Sequence, residues 1–159
     1  MRKCFLLALT LTLTIHVFAQ YQYNWTARTQ KIYESITSLK IPGARILINQ
    51  DKKANSNNLI YPLLESYADF YQLFLNENKA EYNLIYPLFE QRIKLFEDGP
   101  KQSPYYLYSV ALGHFHKSLT AIRFNKNFEA ALDLEKHSYY SRQIKKPTPI
   151  LRRTMSTLD

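Results

Sequence analysis

Apolar residues recur along this chain at steps of three and four. Ile60, Leu64, Tyr67, Tyr71 and Phe74 make one such stripe, and Tyr82, Ile85, Phe89, Ile93 and Phe96 make another. That period lets an α-helix bury one face, and it differs from the strict alternation of a half-buried strand. The chain has only 3 glycines, Gly43, Gly99 and Gly113, fewer than a fold rich in tight hairpin turns would use. The expected class is all-α, with about six helices paired as antiparallel hairpins.

The punctuation divides the chain. Trp25, Ile32, Ile36 and Leu39 predict a first helix that stops before Pro42, with a shorter second helix to about Gln50. A third runs to about Asn76 and a fourth is closed by Glu97-Asp98-Gly99-Pro100, where Gly99 can take a left-handed cap and Pro100 blocks continuation. Ser103-Pro104 opens a fifth helix with a capping hydroxyl and a proline at the first helical position; it ends near Phe124. The sixth spans Phe128 to about Gln143, with Phe128, Ala131 and Leu132 expected on its inner face. Thr148-Pro149 repeats the start signal, and Leu151, Met155 and Leu158 begin a further stripe, as in a chain cut short within a seventh helix. The hexapeptide Asn-Leu-Ile-Tyr-Pro-Leu occurs at Asn58–Leu63 and again at Asn83–Leu88, by duplication or coincidence. Pro62 falls near a helix start, whereas Pro87 falls inside the fourth pattern and is expected to kink or break it.

Residues 1–19 read as a secretory signal. Arg2 and Lys3 supply the charged start, Phe5 to Val17 the apolar run, and Val17-Phe18-Ala19 the small-ended cleavage site. A spanning helix needs roughly 20 apolar residues, more than this run supplies, so a cleaved leader is favoured over an uncleaved anchor. The sole cysteine, Cys4, precedes the apolar run, so the exported chain has no thiol. Disulfides, thiol catalysis and thiolate metal sites are excluded with it, and a packed core must hold the fold. The division expected is residues 1–19 as signal peptide, 20–146 as a helical-repeat-like domain, and 147–159 as the start of a further helix or a basic tail. The product is expected to be exported, in the periplasm or associated with the cell envelope.

The net charge of +8 invites a nucleic-acid reading, which its distribution opposes. From Gln20 to Glu135 there are 13 basic and 12 acidic residues; the excess comes from Lys136, Arg142, Lys145, Lys146, Arg152 and Arg153. No nucleic-acid partner is therefore expected. The basic tail is either a ligand for an anionic membrane surface or polymer, or the solvated face of a continuing repeat.

His114 and His116 flank Phe115. At about 100° per residue their side chains point about 200° apart, so one helix cannot bring both to one metal. The stripe of Tyr108, Leu112, Phe115, Leu119 and Ile122 lies between them. Packing and hydrogen bonding at helix borders is the first reading for both. A ligand-binding or hydrolytic role for His114 or His116, with a residue from a neighbouring helix, is the other. His137 sits among basic neighbours and reads the same way. No catalytic residue, metal site or cofactor motif is assigned: the chain lacks a phosphate loop, a GxSxG elbow, an HExxH pair and a calcium loop. The 13 tyrosines read as helix contacts with ring buried and hydroxyl wet, or as an aromatic groove for a peptide or glycan.

The stretch from Ser103 to Leu134, with its Ser103-Pro104-Tyr105-Tyr106-Leu107-Tyr108 block, and the upstream segment from Leu64 to Lys79 carry a resemblance. The chain resembles the N-terminal region of exported tetratricopeptide-like helical-repeat proteins of Bacteroidetes-type bacteria, over about Ile41 to Leu151. Phe128 and Ala131 match the aromatic and small residues of such a hairpin, while Asn125, Lys126 and Asn127 stand where a turn glycine is usual. Leu112 and Lys117 stand where the pattern has an acidic residue and a tryptophan. The resemblance implies a tetratricopeptide-like α-α superhelix or bundle and export, and offers no agreed enzyme activity or catalytic residues to carry over; the chain is expected not to be an enzyme. The resulting expectation is a protein–protein interaction scaffold, whose partner is another envelope protein or the remainder of a longer repeat chain. Its contact residues are expected to be Tyr105, Tyr106, His114, Arg123, Lys145 and Lys146.

Overall fold

Thr26 and Thr29 start the first helix by capping one another: the Thr29 amide donates to Thr26 Oγ1 and the Thr26 amide to Thr29 Oγ1, at 3.2 and 2.8 Å. In the computed structural model, which describes residues 20–144, six helices follow in order. They are α1 (Ala27–Thr37), α2 (Ile41–Ala54), α3 (Ile60–Asn76), α4 (Lys79–Glu97), α5 (Pro104–Arg123) and α6 (Asn127–Gln143). The class is all-α, a helical bundle. The expected signal segment, Lys145, Lys146 and the expected helix start at Thr148-Pro149 lie outside the described residues.

The third to sixth helices fall where the periodicity predicts, and the first two differ. Trp25 precedes α1, and Leu39 is exposed with a left-handed φ of 59°, so neither extends the buried stripe of Ile32 and Ile36. The second helix runs four residues past Gln50, to Ala54. Pro87 does not break α4, which is continuous. Asn83, whose carbonyl loses its i+4 donor there, and Pro87 are both on the exposed side, where water replaces the missing partner.

Gly99 does not take the left-handed cap, since no described glycine has positive φ. It is required for space: a Cβ there would lie 2.8 Å from Leu59 Cδ1 and 3.0 Å from the Tyr23 hydroxyl. Left-handed residues other than glycine turn the helix corners: Leu39 between α1 and α2, Glu77 after α3, and Asn125, φ 61°, between α5 and α6. At the start of α5, Ser103 Oγ accepts from the Tyr105 amide at 3.3 Å and Pro104 is the first helical residue.

The two copies of the repeated hexapeptide occupy unlike places. The first crosses the start of α3 and is buried; the second lies mid-α4 with Leu84 largely exposed. Asn58 in the first copy bonds through both ends of its amide. Its Oδ1 accepts from the amides of Asn24 and Ile60, and its Nδ2 donates to the Asn24 carbonyl. That staples residues 20–25 across the α2–α3 connection.

The core forms where α1, α2 and α3 pack together and α3 meets α5. Helix α5 packs against α3, α4 and α6, and α3 against α1, α2, α4 and α5. Gly113 permits its close approach to α4, because a Cβ there would stand 2.8 Å from Ile93 Cγ1.

Helix α6 is rotated from the expected register. Ala130 and Asp133 are buried, while Phe128 is 74% exposed and Leu132 48%. The inner face is polar because Asp133 is drawn to His114 and Lys117 on α5, and hydrophobic periodicity cannot register such a face.

Candidate functional site

Each histidine of α5 meets a different neighbour. His114 faces α6, with Nδ1 2.8 Å from Asp133 Oδ1, and its ring stacks on Tyr140. His116 faces α3, with Nδ1 3.0 Å from Ser66 Oγ, its ring stacked 4.8 Å from Phe70 and edge-on to Tyr67. They are 1% and 2% exposed. Burial, reinforced by the nearby Arg92 charge, pushes His116 down to about 3, so it is neutral near pH 7.

Asp133 belongs to a longer chain of charges. Lys117 on α5 lies 3.1 Å from its Oδ2 and donates to Glu90 Oε2 on α4 at 2.7 Å. Burial acts to raise the Asp133 carboxyl, but its bond to His114 and the Lys117 charge prevail and hold it below the usual range. The hydrogen bond from Lys117 does the same for Glu90, against burial. The result orients the His114 imidazole through Nδ1 and leaves Nε2 buried, without a hydrogen-bond partner among the described residues. This resembles the acid–imidazole half of a triad. No hydroxyl is seen to bond Nε2, and neither of the two clefts described below is lined by His114 or His116.

A second polar cluster lines a cleft of about 380 Å³ between α2, α3 and α4. Asp69, nearly fully buried, sits between Arg45 and Arg92, whose Nη2 atoms lie 2.5 and 2.6 Å from its two oxygens. The Arg92 contact lacks hydrogen-bond geometry at Asp69 Oδ2, so it is chiefly ionic. Arg45 also donates to Gln72 Oε1 at 2.8 Å, and Lys52 reaches Glu65 at 2.7 Å. Arg45 and Gln72 continue into a neighbouring cleft of about 410 Å³, walled by Leu39, Ile41, Tyr71 and Leu75. The cations and carboxylates of the first cleft are mutually paired, so it binds α2, α3 and α4 to one another.

The expected contact residues are not brought together. Tyr105 is buried, its ring stacked 5.9 Å from Trp25 and 6.1 Å from Tyr23, and so is not presented at the surface. Tyr106 is half-buried against the core. Arg123 pairs with Glu77 and donates to the Phe74 carbonyl, tying the end of α5 to α3. Lys145 and Lys146 lie outside the described residues. The residues that reading by periodicity missed are Asp133, Lys117, Glu90 and the Arg45–Asp69–Arg92 cluster. Glu65 and Asp69, four apart within the apolar sequence of α3, were the available signal, since that spacing places two charges on one helical face.

Among the described residues no group of three His, Cys, Asp or Glu could hold a metal ion, and no helix is long and apolar enough to cross a membrane. No family model, curated protein or solved structure matches the chain.

Proposed function

We propose that this chain is an exported, non-enzymatic helical-repeat module of the cell envelope that acts as a protein–protein interaction scaffold, and that the α5–α6 hairpin is its receiving end. One observation carries the reading: the outer face of α6 holds Phe128, Leu132 and Tyr139 on one side, 74%, 48% and 63% exposed. At about 100° per residue these three fall within about 40° of arc, an apolar face on which the exposed Glu135 sits between Leu132 and Tyr139. The partner suited to that face is an amphipathic helix with anchors at i, i+3 or i+4, and i+7, carried by another envelope protein. The sequence resemblance and the leader-like start support export and the repeat character. The buried charges favour a scaffold, since those of the Asp133 and Asp69 clusters are spent holding helices together.

The experiment is photo-crosslinking in the native cell envelope, with the crosslinker placed in turn at Phe128, Leu132 and the exposed Lys101. The expected result is one helical protein captured from the two α6 positions and not from Lys101. Capture of the same species from all three positions, or from none, removes the reading.

A further inference from the structure

Helix α1 ends on a leucine in a turn that ordinarily uses glycine. The Lys40 amide donates to the Ser35 carbonyl at 2.8 Å and the Leu39 amide to the Ile36 carbonyl at 2.9 Å. Leu39, φ 59°, is thus the left-handed residue of a Schellman turn, where a Cβ is strained. The core gains little from that side chain, which is 53% exposed. It lines instead the cleft of about 410 Å³ between the start of α2 and the end of α3. Ile41, Tyr71 and Leu75 line it too, and Leu75 is 54% exposed.

Arg45 is the one charged side chain among the described residues that line this cleft. Both of its hydrogen bonds, to Asp69 and Gln72, leave from Nη2, and its side chain is 32% exposed. Nε and Nη1 therefore keep donors for a ligand. The neighbouring carboxylates do not fully neutralise it. Asp69 is shared between Arg45 and Arg92, at 2.5 and 2.6 Å, and Glu65 between Lys52 and Arg92, at 2.7 and 3.6 Å. Three cations thus meet two carboxylates. Glu81, beyond Gln72, is held by Gln72 Nε2 at 2.8 Å and does not line the cleft.

We infer that this cleft binds an aliphatic monocarboxylate, with the carboxylate on Arg45 and the chain along Leu39, Ile41, Tyr71 and Leu75. The volume is that of a small-molecule site, and three of the four apolar walls are aliphatic. One available cation selects one carboxylate, since a second would approach Asp69 and Glu65. The strained Leu39 then has a role: it keeps an apolar wall at the mouth of the cleft, where folding alone would favour glycine. This binding site is separate from the outer face of α6 and does not depend on the scaffold reading.

The test is calorimetric titration of the purified protein with octanoate, with 1-octanol as the same chain without charge and acetate as the charge without the chain. Octanoate should saturate one site with a Kd below about 1 mM, and both controls should bind at least about tenfold more weakly. Arg45→Gln should weaken octanoate at least about tenfold. Because that change also loosens Asp69, Leu75→Asp, at an exposed position, provides an independent arm and should weaken octanoate by a similar factor through like-charge repulsion. Leu39→Gly should weaken it by at least about threefold without lowering the melting temperature. Ile46→Asp, on the exposed side of α2, should leave binding unchanged. Absence of saturable octanoate binding overturns the inference, as does equal affinity for 1-octanol or an affinity that Leu75→Asp does not alter. Failure of these titrations leaves the envelope crosslinking at Phe128 intact, and the reverse holds.

Discussion

His114 Nδ1 and Asp133 Oδ1 meet at 2.8 Å across the contact between α5 and α6, both side chains buried. Lys117 shares the carboxylate and passes the link to Glu90 on α4, so three helices converge on one chain of charge. A buried carboxylate is tolerable only when paired, and removing it strands its partners without solvent. Asp133→Ala should therefore lower the unfolding free energy by about 3 kcal/mol in urea titration. Glu90→Gln, at the wetter end of the chain, should cost less than about 1 kcal/mol. Equal losses for the two variants would contradict the geometry.

His116 gives the fold a pH dependence of known sign. Its folded value of about 3 lies below the ordinary 6.5, so between those limits the unfolded chain binds more protons. Its contribution is fully present above about pH 6.5 and falls by up to about 1.4 kcal/mol per pH unit as acid is added. His116→Gln, which can keep a bond to Ser66, should flatten the dependence of stability on pH between 6 and 4. An unchanged slope would assign that dependence to other groups.

Gly113 is a packing requirement of the α4–α5 contact. Gly113→Ala gains about 1 kcal/mol of helix propensity, yet its new Cβ would meet Ile93 Cγ1 at 2.8 Å. A net loss of about 1–2 kcal/mol is expected. Adding Ile93→Ala should make the two changes non-additive, because the second makes room for the first. Simple additivity in a double-mutant cycle would show that the two positions do not press on each other.

The register of α6 can be read by a pair of substitutions. Phe128→Glu, on the exposed side, should change stability by less than about 0.5 kcal/mol. Ala130→Leu, into the packed interface, should cost about 1–3 kcal/mol. The reverse order would restore the register that periodicity alone suggests.

Asp69, between two arginines, should behave as the centre of its cluster. Asp69→Ala leaves the largely buried Arg92 without its closest carboxylate partner and should cost about 3–5 kcal/mol. Replacing both partners, as Asp69→Leu with Arg92→Met, should recover most of that loss in thermal unfolding. If the double variant is less stable than Asp69→Ala, the cluster contributes more than the desolvation of its charges.

The sequence by itself determined the helices and most of their ends. Ser103-Pro104 opens α5, and the stripes of α3 and α4 lie where a 3.6-residue period requires, because these signals act over one or two turns of chain. Tertiary structure decided which faces α5 and α6 bury. His114, His116 and Asp133 are enclosed although polar, and Phe128 and Leu132 are exposed although apolar. The physical reason is that periodicity measures apolarity along one helix, whereas a polar side chain becomes an interior one only when a partner arrives from another. Asp133 reaches His114 across 19 positions of sequence, and Ser66 reaches His116 across 50. Gly99 belongs to the same class: its local sequence suggested a left-handed cap, while the space it leaves for Leu59 and Tyr23 exists only once the chain has folded back on itself.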